Sequence, residues 1–323
     1  MPTSAKNLEK RDLGRTGLQI TRLGFGAWAI GSRGYGKVER GDAEAALEAY
    51  INAGGNFIDT ARGYGDSEKI IGDFLQARPG LREKLVIASK LGMHDPQELR
   101  EGLQTSLENL QVDTIDLMYL HSPPDDESTM NAVLDVFEEF QARGKIRAIG
   151  ASVKGPNVNR HTVQLCRQYI NTGRVDALQV IFSVFRQKNL EMFEEAENAG
   201  VAVVGRTALE SGFLTGKYTP GHSFKEGDHR RRWSQEKLNT ILQEVERLGN
   251  EHAKAPYRSL THFVLRYVLE EPRLTSMLVG GKNARQVEEQ MSALHSPAVA
   301  DEQFQALREH YRGFEQLLNP QDA

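Results

Sequence analysis

Short apolar runs rich in branched residues recur along the chain. They are ITRLGFGAW from 20, NFIDTA from 56, LVIASK from 85, IDLMYLH from 115, IRAIGAS from 146, ALQVIFS from 177, VAVVGRTA from 201 and SMLVGG from 276. Between them the apolar positions change period. Ala43, Ala46, Leu47, Tyr50 and Ile51 follow the i, i+3, i+4, i+7, i+8 spacing of one helix face. Leu99, Leu103, Leu107 and Leu110 keep the same phase, as do Val287, Met291 and Leu294. Glycines stand where these helices should stop, in NAGG (52–55), ARGK (142–145), NTGR (171–174) and NAGV (198–201). Eight strands alternating with helices, most about 30 residues apart, predict parallel βα units, and the count of eight predicts a closed (β/α)8 TIM barrel rather than an open sheet.

Two stretches fall outside the alternation. RDLGRTGLQITRL reads as an N-terminal β-hairpin turning at Gly14-Arg15-Thr16-Gly17, ahead of the first barrel strand. Between 201 and 276 the interval widens to hold a polar loop, TPGHSFKEGDHRRRW, an extra helix near 235–252 and the ordinary crossover helix near 259–270. A loop of that length inside a compact fold is usually functional. After 295 the tail carries one modest amphipathic helix. No linker composition divides the chain, so residues 1–323 are expected to form a single domain.

Composition narrows the function classes. At 323 residues and 36.1 kDa the chain has room for a barrel, a fold that takes roughly 250 residues or more. A net charge of −4 offers no basic field for nucleic acid. Cys166 is the one cysteine, which excludes an intramolecular disulfide and a cysteine-built metal site. In HTVQLCRQYI it reads as a buried, inert thiol. The start, MPTSAKNLEKRDLG, has no apolar signal core, and no run approaches the about 18 apolar residues of a membrane span. A cytoplasmic protein with no membrane or nucleic-acid partner and no metal is expected.

A βα barrel builds its active site at the carboxyl ends of its strands. The second strand ends at Asp59, with Tyr64 in the loop beyond; the third ends at Lys90 and the fourth at His121. Each alone has an ordinary explanation: a turn former, a loop aromatic, a solvated strand end, a cap. Four such residues on neighbouring strand ends make coherent chemistry. A phenol, with a reference pKa of about 10, is a poor acid near neutrality unless its phenolate is stabilised. A lysine cation supplies that stabilisation, and an aspartate holds the lysine. A histidine can orient an oxygen or share the proton. The set is machinery for moving a proton to or from an oxygen.

NFIDTARGYGDSEKIIG, VIASK and IDLMYLHSP, together with the downstream motifs, resemble the aldo-keto reductase superfamily from the hairpin to about residue 295. The resemblance implies an NAD(P)H-dependent carbonyl reductase on a (β/α)8 barrel. In it Tyr64 would be the general acid, Lys90 its modulator, Asp59 the partner of Lys90, and His121 the orienter of the carbonyl. Asp59 also resembles a residue beside the nicotinamide ribose. Ser152 and Gln179 resemble positions that bind the nicotinamide carboxamide, although Val153 replaces the asparagine common after that serine. Arg206 stands where many members stack an aromatic ring on nicotinamide, and a planar guanidinium can stack too.

The resemblance places Leu209, Ser211, Gly212, Leu214 and Lys217 along the pyrophosphate. It places Gly281, Lys282, Asn283, Arg285 and Gln286 at the adenosine phosphate, with Glu289 and Gln290 at the adenine. Ala27 and Trp28 after strand 1 are assigned to the cofactor as well; Trp28 and Tyr35, in the loop after strand 1, read equally as a wall of the substrate pocket or as simple barrel-mouth packing. In GGKNARQ, Lys282 and Arg285 open a helix and no acid appears before Glu288, so NADPH/NADP+ is the expected cofactor. A small-molecule carbonyl compound is the expected partner; nothing in the motifs sets the oligomeric state.

GFGAWA at 24–29 matches G-x-G-x-x-A, but IGSRGYG follows where a dinucleotide-binding fold needs a helix at once. Arg230, Arg231 and Arg232 in DHRRRW read as a solvated face more readily than as a ligand clamp. The same barrel serves as a nucleotide-sensing binding subunit in the potassium-channel β-subunit branch of the superfamily. Long partner-binding extensions would favour that alternative, and the short tail does not supply them.

Overall fold

The computed structural model describes residues 8–32, 36–153, 155 and 157–319. A hairpin of β1 (Lys10–Asp12) and β2 (Gln19–Thr21) leads into eight strands. These are β3 (Leu23–Gly26), β4 (Phe57–Asp59), β5 (Val86–Leu91), β6 (Ile115–His121), β7 (Ile146–Ser152), β8 (Ala177–Ile181), β9 (Ala202–Arg206) and β10 (Ser276–Val279). They pair in parallel, each with the next in sequence, and β10 closes onto β3 with Met277 opposite Leu23. The crossovers are α1 (Arg40–Asn52), α2 (Ser67–Gln76), α3 (Pro96–Leu110), α4 (Glu127–Ala142), α5 (Arg160–Asn171) and α6 (Phe193–Asn198). The long interval after β9 contains α7 (Gln235–His252), the extra helix, and α8 (Leu260–Leu269), the crossover. α9 (Ala284–Ser292) follows β10, and the tail breaks into α10 (Asp301–His310) and α11 (Glu315–Leu318) where a single helix was expected.

The expected first strand divides at Arg22. Ile20 and Thr21 belong to the hairpin, and the barrel strand starts at Leu23. The alternation breaks there because Arg22 is buried at the seam. Its backbone carbonyl accepts from Met277 N at 2.9 Å and its guanidinium donates to the Leu269 carbonyl at 2.5 Å. After β3 the next helix begins at Arg40, so no helix caps the GFGAWA turn. Cys166 lies fully buried in α5, where burial pushes its thiol up to about 12 and leaves it inert at neutral pH. No helix among the described residues is long and apolar enough to cross a membrane.

Side chains along a strand alternate between faces, so positions two apart share one. The interior cluster takes Phe57 from β4, Val86 and Ala88 from β5, Leu117 and Tyr119 from β6, Ala148 from β7, Ala177 from β8, and Ala202 and Val204 from β9. Leu13, Leu18 and Ile20 of the hairpin join this cluster and plug its amino-terminal end. Gly14 lets the hairpin sit close, since a Cβ there would lie 2.5 Å from the Gly200 carbonyl oxygen. Leu13 and Ile20 are fully buried, and trimming either to Ala should cost about 2–5 kcal/mol. Two residues beyond the interior apolar layer, on the same face, stand Asp59, Lys90, His121 and Arg206, and Ser152 stands four beyond Ala148 on that face. Gln179 stands likewise two beyond Ala177. The fold thus stacks one polar layer above an apolar plug.

Candidate active site

Lys90 is fully buried and Asp59 is 2% exposed. The Lys90 ammonium donates to Asp59 Oδ1 at 2.5 Å and to the Thr60 carbonyl at 2.7 Å. The second carboxylate oxygen of Asp59 accepts from Gln179 Nε2 at 2.8 Å, and Ser152 Oγ donates to Gln179 Oε1 at 3.3 Å. Burial pushes the Asp59 carboxyl above its ordinary range, while Lys90 and then Gln179 pull it back. Four strands are tied together by this chain of contacts.

Tyr64 hangs over the pair from the loop after β4. Its backbone N–H donates to the Ala61 carbonyl at 2.9 Å, and its own carbonyl accepts from Ser67 N at 3.2 Å. Ser67 Oγ contacts Thr60 Oγ1 at 2.7 Å and donates to the Ala27 carbonyl at 3.1 Å, which staples this loop to the one after β3. Gly31 completes the fit, since a Cβ at that position would stand 1.7 Å from the Tyr64 carbonyl oxygen. The Tyr64 ring is half-buried, with the Lys90 ammonium 4.9 Å from its centroid. The His121 ring stands 5.9 Å away at 80°. Burial, then the Lys90 and Arg206 cations, lower His121 to about 3. It is therefore neutral near pH 7, able to hydrogen-bond an oxygen but carrying no charge.

A cleft of about 810 Å³ opens over Tyr64, His121 and Asp59 and continues to the start of α9. Of the residues expected at a cofactor, Trp28, Asp59, Gln179, Arg206, Leu209, Ser211, Gly212 and Lys217 line it, and so do Lys282, Gln286, Glu289 and Gln290. Others lie behind the wall. Ala27 and Leu214 are fully buried, and Ser152 and Lys90 sit beneath the lining. Gly281 is buried, and Asn283 accepts from Gln286 N at 3.1 Å, spending its side chain on capping α9. Arg285 is exposed on α9 and is not among the cleft-lining residues. Tyr35 lies outside the described residues.

The loop after β9 carries a run of left-handed backbone in Thr207 (φ 70°), Glu210 (φ 46°) and Ser211 (φ 56°), the strain typical of ligand-binding loops. Glu210, only 1% exposed, anchors it through Arg186 Nε at 3.0 Å and through the Ser183 hydroxyl, which donates to the other carboxylate oxygen.

Sequence reasoning underrated DHRRRW. Arg231 is exposed, but Arg230 lines the cleft, gripped by Asp228 through Nε at 2.9 Å and Nη2 at 2.6 Å. It also donates to the Tyr218 hydroxyl at 2.7 Å and lies 4.2 Å from the Phe224 ring centre. Arg232 and His229 line the cleft too, and the His229 ring meets Trp28 at 5.4 Å from the opposite rim. Arg186 also lines it. Its position just past a strand end was the available signal.

Comparison with known proteins agrees with this geometry. The chain is 28% identical over 319 residues to an uncharacterized oxidoreductase of Bacillus subtilis, covering 94% of this chain and 96% of that one. It is 30% identical to an NADH-specific methylglyoxal reductase of Escherichia coli, over 89% of this chain and 94% of the relative. In fold it resembles an aldo-keto reductase from Bacillus halodurans, with a TM-score of 0.73 at 22% identity over 98% and 97% of the two chains. It also resembles a glycerol dehydrogenase from Gluconobacter oxydans, with a TM-score of 0.75 at 24% identity over 94% of each. Residues 22–312 match the sequence model of the Aldo/keto reductase family, and the chain belongs to that family.

Proposed function

We propose that this protein is an NADPH-dependent oxidoreductase that reduces an aldehyde or ketone to an alcohol, with Tyr64 as the general acid. The observation that carries the reading is the Tyr64 ring poised at the cleft over the buried Lys90–Asp59 pair and beside neutral His121. The residues suit a nicotinamide dinucleotide. The Gln179 amide lies at one end of the cleft, and Lys217, Arg230 and Lys282 gather toward the start of α9, where an anion is favoured. Bound there, NADPH would supply the hydride. Tyr64 gives a proton to the substrate oxygen as the carbonyl carbon gains hydride, so the product is the alcohol. Lys90 favours the phenolate left behind, Asp59 fixes Lys90, and His121 holds the oxygen in line.

Preference for the 2′-phosphorylated nucleotide rests on the cations at the cleft. Burial, then Arg230, and with them Lys217, lower the Lys282 ammonium, with Asp228 opposing. Such crowding is relieved by a bound anion. The test follows nucleotide oxidation with a panel of aldehydes, ketones and sugars. Turnover is expected with NADPH, and Tyr64→Phe should lower kcat about 10²–10⁴-fold while keeping nucleotide binding. A Tyr64→Phe enzyme with near-normal kcat would mean the proton comes from elsewhere. Tight nucleotide binding without turnover of any carbonyl would favour the sensing subunit instead.

A further inference from the structure

Arg206 ends β9 on the floor of the cleft. Its Nη2 donates to the Val153 carbonyl at 2.9 Å, and a Cβ on Gly155 would come within 3.2 Å of the same nitrogen. The guanidinium is therefore held by backbone, half-buried, and lines the same cleft as Tyr64 and Gln179. The two acids whose charge acts on it, Asp59 and Glu210, are already engaged. Asp59 is bound by Lys90 and Gln179, and Glu210 by Arg186 and Ser183. Each acid with its cation cancels, and among the described residues Arg206 forms no ion pair of its own. One positive charge is left over in the floor of the site.

We propose that Arg206 makes the site discriminate between the oxidation states of the nicotinamide ring, favouring the neutral reduced ring over the cationic oxidised one. The inference rests on the functional reading above, in which the nicotinamide end lies against Gln179 and Arg206. The reduced and oxidised nucleotides carry the same phosphates, so contacts along the rest of the cleft cancel in the ratio of their affinities. What remains is the ring's charge against the guanidinium. Like unit charges about 4 Å apart at an effective dielectric near 20 would set a ratio of about 10³-fold, and charges spread over a ring and a guanidinium, with an effective separation of about 6–12 Å, set about 10–100-fold. The enzyme would hold the reduced form and shed the oxidised one, a bias toward carbonyl reduction. An aromatic residue at the same place would stack on both forms without that bias.

The experiment is a pair of equilibrium titrations, NADPH and NADP+, on wild type, Arg206→Leu and Arg206→Lys, with folding checked by circular dichroism. Wild type should bind NADPH at least about 10-fold more tightly than NADP+. Arg206→Leu should close most of that gap, chiefly by tightening NADP+, while Arg206→Lys should keep it. The NADH and NAD+ pair should show the same ratio, because the effect lies at the ring and not at the 2′-phosphate. An unchanged ratio in Arg206→Leu, or equal losses for both nucleotides, overturns the role of Arg206 and leaves the functional reading intact. Failure of wild type to bind either nucleotide would overturn the functional reading and this inference with it.

Discussion

Removing the Lys90 cation while keeping its volume tests whether the polar layer acts as a unit. In Lys90→Met the carboxylate of Asp59, 2% exposed, keeps one hydrogen bond, from Gln179 at 2.8 Å, and loses the ammonium at 2.5 Å. Breaking a buried ion pair by taking one partner costs about 3–5 kcal/mol, against a total stability of about 5–15 kcal/mol. The variant should fold with a much lower urea midpoint. Burial already holds Asp59 above its ordinary 3.8, and losing Lys90 pushes it further up. A carboxyl whose folded pKa exceeds its unfolded value gives the folded state extra proton affinity. The variant's stability is then greatest below about 3.8 and falls as pH rises toward the raised folded pKa. Its deficit relative to wild type should be smaller near about pH 5 than near about pH 8. Asp59→Asn in the same background removes the stranded charge and should recover about 0.5–3 kcal/mol as coupling. Urea titrations of the four proteins at both pH values measure this. A deficit that ignores pH, or single losses that simply add, would refute the reasoning.

Three further outcomes follow from the same geometry. Lys282→Ala should weaken NADPH by about 1–3 kcal/mol and leave NADH nearly unchanged in direct titration; an equal loss for both removes Lys282 from the phosphate. Gly31→Ala forces apart two atoms that would otherwise stand 1.7 Å from each other, shifting the Tyr64 loop, so kcat should drop about 10²-fold with nucleotide affinity largely kept. His121, lowered to about 3, should put no step into the kcat/KM profile between about pH 5 and 8. Its folded pKa lies below the unfolded value of 6.5, so the stability it contributes is present above 6.5 and lost as pH falls toward 3, a loss that His121→Gln should lessen in acid unfolding.

The barrel and its polar layer were legible because both follow from a period of two. Phe57 and Asp59, Ala88 and Lys90, Tyr119 and His121 each place an apolar residue and a polar strand end on one face. Once the strands were counted, the inward residues named themselves. What escaped has no period. Arg186 reaches Glu210 across two loops, and Arg230 turns inward because Asp228, Tyr218 and Phe224 surround it. At the start of α9, Arg285 looked equivalent to Lys282, but it is exposed while Lys282 lines the cleft. Asn283 is occupied as a cap, a local rule that its place before the helix already signalled. At Val153 the missing asparagine side chain drew attention, yet the contact the structure shows there is made by the backbone carbonyl, to Arg206.

The hairpin plug and the β3–β10 seam also carry a consequence for how the chain is made. Leu13, Leu18 and Ile20 leave the ribosome long before β10, but the barrel interior that covers them includes Leu278, and Leu23 pairs with Met277. At about 5–20 residues per second the early segment waits on the order of tens of seconds for its partner strand. During that wait the hairpin's apolar side and the open edge of β3 remain uncovered. Emergence of β10, rather than of any earlier βα unit, is the event that shuts the cylinder, so a nascent chain stalled before it should be a target for chaperones and proteases.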